Sequence, residues 1–166
     1  MRLTKLHISA AAIGLVLASG AHAQMGGGSM PTSGPAQADA TVPYKNGVAA
    51  FNSGDYPTAI RELRKAYDAN SSVGAIPYAL GLAYTASGKK KEAKQAFQDA
   101  VRTGNAPIPA YLQLGLVALE LGERDLATKQ YAALEKKLAG CGAKCDDEAR
   151  AEIKAAMDQL AVKLTP

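Results

Sequence analysis

Gly47, Gly81 and Gly115 stand 34 residues apart, and Gly54, Gly88 and Gly122 keep the same step. So do Ala59, Ala93 and Ala127, and then Leu63, Phe97 and Tyr131. A period of this size, held three times without insertion or deletion, implies stacked supersecondary units. Each unit buries its apolar face only against its neighbours, so the chain must fold as a row. A row of this kind offers an extended surface long before it offers an enclosed site.

The repeats span 40–73, 74–107 and 108–141, and each divides at its second glycine into two helices. In the first, a helix from Val42 to Asn52 is followed by the turn Ser53-Gly54-Asp55. Asp55 suits an N-cap, and Pro57 falls in the first turn, where its missing N–H costs little. The second helix carries Ala59, Ile60, Leu63, Ala66 and Tyr67, an apolar stripe at helical spacing. The second repeat predicts helices over Ile76–Ser87 and Lys89–Arg102, the third over Ile108–Leu121 and Arg124–Leu138. Pro77 and Pro109 fall near helix starts. Short helix pairs need small residues where they touch. Gly81 and Gly115 are therefore expected to face Ala93 and Ala127, with Leu63, Phe97 and Tyr131 filling the space beyond.

The first 23 residues read as a signal peptide: Arg2 and Lys5, an apolar run from Ile8 to Ala18, then Ala21-His22-Ala23 as a small-x-small cleavage site. The run is too short to span a bilayer comfortably, and no cysteine near the cleavage point offers a lipid site. The expected mature chain begins at Gln24, carries no stable membrane anchor and resides in the periplasm or is secreted. Cleavage removes His7 and His22, the only histidines, and leaves seventeen basic against fifteen acidic residues, a net charge of +2. So small and evenly spread an excess gives no footprint for nucleic acid. Residues 24–39, rich in Gly, Ser and Pro, read as a flexible leader.

Beyond the repeats, residues 142–166 comprise a linker turn and a last helix from about Asp146 to Leu164. Its apolar stripe is Ala149, Ile153, Ala156, Met157, Leu160, Ala161 and Leu164. Asp146, Asp147 and Glu148 at its start and Lys163 near its end suit the helix dipole. A stack needs a polar-faced cap at its end, and this helix fits that role.

These spacings resemble the tetratricopeptide repeat family over residues 40–141. The family's small residue at the eighth repeat position matches Gly47, Gly81 and Gly115; its alanine at the twentieth matches Ala59, Ala93 and Ala127; its large residue at the twenty-fourth matches Leu63, Phe97 and Tyr131. Tyr84 alone supplies the aromatic of the eleventh position, and Ser71, Asn105 and Ala139 replace the proline of the thirty-second. The resemblance implies an all-α fold, an α-solenoid of three helix-turn-helix units with a C-terminal capping helix, seven helices in all. It further implies a right-handed superhelix whose concave groove is lined by the first helix of each repeat, and a role in binding proteins or peptides rather than catalysis.

Helical geometry selects the groove residues as those opposite the core side of each first helix. They are Tyr44, Val48 and Phe51, then Tyr78, Leu82 and Thr85, then Leu112, Leu116 and Leu119. This face is apolar where a water-facing helix would be polar, which marks a binding surface. Two other accounts stand beside that one: the side chains bury one another in a tightly curled stack, or the cap helix leans over Leu116 and Leu119. A carboxylate clamp of the kind found in some members of the family is not expected. Lys45 stands near one such position, but Ala79 and Gln113 occupy the others. The expected ligand is an apolar or amphipathic segment. Self-assembly into a homo-oligomer through the apolar third-repeat helix is the alternative.

Cys141 and Cys145 are expected to form a disulfide, since export meets an oxidising compartment and no odd cysteine remains. The loop is small, so the loop-closure contribution is modest, about 2 kcal/mol. A redox pair is the sharper reading, with Cys145 near a helix start, but the spacing is not C-x-x-C. Two thiols without histidine make no complete metal site, and no cofactor is expected. Ser87-Gly88-Lys89-Lys90 matches S-x-x-K within a turn that the repeat already explains, and Gly88-Lys89 lacks the spacing of a phosphate loop. Asn70-Ser71-Ser72 fits a glycosylation sequon, a pattern frequent by chance. The cations Lys89, Lys90 and Lys91 oppose the dipole at a helix start unless an acidic contact offsets them.

Overall fold

The computed structural model describes residues 39–142 and 145–165. The signal peptide and all of the leader but Asp39 lie outside the described residues. The helices are α1 (Thr41–Asn52), α2 (Tyr56–Ala69), α3 (Ala75–Ala86), α4 (Lys90–Arg102), α5 (Ile108–Glu120), α6 (Arg124–Cys141) and α7 (Asp147–Leu164), with no strand among the described residues. Each packs on the next, and α7 packs on both α6 and α5. The fold is an all-α solenoid of three helix pairs closed by a seventh helix.

The repeating glycine sets the turn within each pair. Gly54, Gly88 and Gly122 have φ of +81°, +73° and +77°, a region that costs other residues roughly 1–2 kcal/mol. Each lets the following amide reach back over the helix end. Asp55 donates to the Ala50 carbonyl at 2.9 Å, Lys89 to Tyr84 at 2.9 Å and Glu123 to Ala118 at 2.8 Å. Asp55 caps α2 as expected, the Thr58 amide donating to its Oδ1 at 3.1 Å, and Asp146 caps α7 likewise, the Ala149 amide donating to its Oδ1 at 2.8 Å.

The large residues of the second helices lie nearest the small residues of the first. A Cβ added at Gly81 would overlap the ring of Phe97, and one at Gly47 would strike Leu63. In the third repeat the pattern breaks. A Cβ at Gly115 would lie 2.8 Å from both methyls of Leu160 on α7. Leu160 thus lies nearer that position than Ala127 or Tyr131, and Tyr131 is only half-buried.

The helix α6 runs one turn beyond the expected Leu138. In the second repeat Gly104, at φ +77°, ends the chain's helical course. The same register in the third repeat holds Leu138, and Ala139 stands where a proline would stop the helix. The helix therefore continues to Cys141, and Gly142, at φ +49°, turns the chain.

Polar contacts brace the stack. Within the second repeat the Gly74 amide donates to Asn105 Oδ1 at 3.0 Å, and across the first and second the Tyr67 hydroxyl donates to Asp99 Oδ2 at 3.1 Å. Of the three lysines expected to need an acidic contact, Lys90 pairs with Glu120 at 3.0 Å, at the end of α5. Lys94, one turn on, pairs with Glu123 at 2.6 Å, the residue before α6.

Candidate functional site

The nine groove positions separate into an open set and a covered set. On α1, Tyr44, Val48 and Phe51 are half-buried and pack beside Ala79, Leu80 and Ala83 of α3. On α3, Tyr78 and Leu82 are half-buried, while Thr85 is exposed with its hydroxyl donating to the Gly81 carbonyl at 2.9 Å. On α5, Leu112 is 8 % exposed and belongs to the core with Ile153, Ala156 and Leu160 of α7, so it offers no open surface. Leu116 and Leu119 are half-buried against the same cluster. Of the two accounts set beside the binding reading, the leaning cap describes the third repeat. The face of α5 on which self-assembly would rely is the face that α7 covers.

Leu160 sits at Gly115, and the Leu164 carbonyl accepts from the Arg124 guanidinium, so α7 runs alongside α5 in the same direction. Its earlier part reaches the open set. Burial raises the hydroxyl pKa of Tyr78 above its ordinary value, and the Glu152 carboxylate of α7 and Tyr44 add to the effect. Burial alone raises Tyr44.

Beside Tyr44 lies an apolar cleft of about 220 Å³, lined also by Val73, Ala75 and Ile76. Val73 is 39 % exposed and Val42, on α1, 59 % exposed. Sequence reasoning missed Val73 and Ile76. The available signal was a lone valine at the end of the polar turn Asn70-Ser71-Ser72. Of the clamp positions, Lys45 is exposed, Ala79 is buried and Gln113 is half-buried. A single cation gives no cradle for a carboxylate.

Cys141 and Cys145 are brought together across the α6–α7 turn, with Cα atoms 5.2 Å apart, inside the span of a disulfide. Cys141 is buried and Cys145 half-buried. Among the described residues no three His, Cys, Asp or Glu side chains converge as metal ligands, and no helix is long and apolar enough to cross a membrane.

The tetratricopeptide repeat family model matches residues 78–103, from the first turn of α3 to the end of α4. No curated protein matches the chain significantly. Solved structures do. The first TPR domain of human RPAP3 is 27% identical, with a TM-score of 0.54 over 78% of this chain and 97% of that one. The first TPR of Spaghetti (RPAP3), bound to the HSP90 peptide SRMEEVD, is 26% identical, with a TM-score of 0.54 over 75% and 98%. The Arabidopsis OM64 TPR domain, 18% identical with a TM-score of 0.55 over 73% and 93%, shares the fold. With three registered repeats and seven helices in this arrangement, the chain has the fold of these tetratricopeptide repeat domains, and its second repeat matches the family model.

Proposed function

We propose that this chain is a non-enzymatic protein- or peptide-binding module of the periplasm, serving as adaptor or scaffold in a cell-envelope assembly. The observation that carries the reading is the open half of the inner face. Tyr44, Val48, Phe51, Tyr78 and Leu82 stay partly exposed on α1 and α3, where a helix facing only water would be polar. The Spaghetti domain holds the peptide SRMEEVD, which is acidic. Here the open inner face of α1 and α3 is aromatic and aliphatic with one lysine, which favours an apolar or amphipathic segment. The export signal in residues 1–23 and the adjacent cysteine pair support the periplasm. N-terminal sequencing of the mature protein from fractionated cells should begin at Gln24.

Photo-crosslinking in intact cells tests the groove. A crosslinker at Tyr44 or Leu82 should capture a discrete partner that one at Thr128, exposed on α6, does not. A Tyr78→Arg, Leu82→Glu double variant that melts like the parent should lose it. If the folded double variant still captures the same partner, the groove reading fails.

A further inference from the structure

The hollow at Gly115 is filled from outside its own repeat. The first two repeats fill this hollow with their own Leu63 and Phe97. The third leaves Tyr131 half-buried and takes Leu160 from α7. We infer that α7 is a resident occupant of the third repeat's inner face, latched by a bond between Cys141 and Cys145. Reduction of that bond by a dithiol frees the face for a partner helix of the same chemistry.

That chemistry is written in α7. Ile153, Ala156 and Leu160 are buried at i, i+3 and i+7, a large–small–large stripe laid on Leu112, Leu116 and Leu119. This is the helix-in-groove mode of recognition, here made within one chain. A competing helix must carry the same stripe, with a leucine to enter the hollow at Gly115. The stripe is one of three holds on α7. Arg124 to the Leu164 carbonyl holds the far end, and the cysteine pair, with the Arg150 guanidinium on the Gly142 carbonyl, holds the near end.

The pair is asymmetric. Cys141 is 7 % exposed within the core, while Cys145 is only half-buried. A dithiol thiolate therefore attacks Cys145 Sγ, and Cys141 leaves as a thiolate that takes up a proton. The second thiol of the reductant then attacks the mixed disulfide and releases Cys145 as a thiol. The chain gains two electrons and two protons, and the reductant ends as a disulfide. Reduction thereby removes the loop-closure constraint between Cys141 and Cys145.

This rests on the pair being bonded in the exported protein, and on the groove reading only in that both concern the inner face. The test uses the mature chain and a fluorescein-labelled synthetic peptide of residues 146–165. Alkylation and mass measurement of protein from the cell envelope should find no free thiol. By fluorescence anisotropy, the dithiothreitol-reduced chain and a Cys145→Ser variant should bind the peptide at least tenfold more tightly than the oxidised chain. Amide exchange over Ile153–Leu160 should rise on the order of 30-fold on reduction, the loop-closure value, with α1 to α4 unchanged. Leu160→Ala should bind the peptide without reduction. Two free thiols in the native protein, or equal binding and equal exchange in the oxidised and reduced chains, overturn the inference. Crosslinking at Tyr44 and Leu82 reads the open set separately, so either result can fail alone.

Discussion

Gly81 and Gly115 hold the same repeat position and should not respond alike to a methyl group. At Gly81 the added carbon meets the Phe97 ring, which is fully buried and has nowhere to go. Gly81→Ala should cost about 1–3 kcal/mol in urea unfolding, as overpacking does. At Gly115 it meets the methyl ends of Leu160, on a helix that can shift, so Gly115→Ala should cost less and loosen α7 first, as amide exchange would report. The tyrosines give a pH signature. Burial raises Tyr44 and Tyr78 above the ordinary value of 10.0, so their contribution is complete below that pH and is lost as pH rises from there through their raised folded-state values. A Tyr44→Phe, Tyr78→Phe variant should lose less stability than the parent between about pH 9 and pH 11. The small residues were legible because the period repeats them. Leu160 was not, since it lies outside the period and the 34-residue step points to Tyr131 instead.

At the scale of the helix, boundaries followed local chemistry wherever a capping residue was present. Asp55 and Asp146 both cap their helices, and either Asp→Ala change should cost about 1 kcal/mol in thermal or chemical unfolding. The end of α6 lies one turn beyond the expected Leu138. The stop signals of the first two repeats are missing from the third, where Leu138 and Ala139 are good helix residues. The contacts of Lys90 and Lys94 on α4 are hidden for the opposite reason. Their partners, Glu120 and Glu123, are close in space but belong to the next repeat, where no local pattern points to them. Both pairs are partly exposed, so Lys94→Ala should cost at most about 1 kcal/mol, and less in high salt.

Across the whole molecule, the row of repeats was readable from end to end, but the state of its surface was not. Periodicity marks which face of α1, α3 and α5 turns inward without saying what lies on it. The chain's own α7 lies on one third of that face. Truncation after Gly142 should therefore uncover Leu112, Leu116 and the hollow at Gly115, and light scattering should show concentration-dependent association that the full mature chain lacks. The ion pairs of α4 with Glu120 and Glu123 have a consequence for the order of the units. In the second repeat the positions matching Glu120 and Glu123 hold Ala86 and Lys89. A tandem copy of residues 74–107 would thus bring Lys94 against a lysine and Lys90 against a methyl group. The charges work as an address between adjoining modules: this unit accepts its native successor and repels its own duplicate.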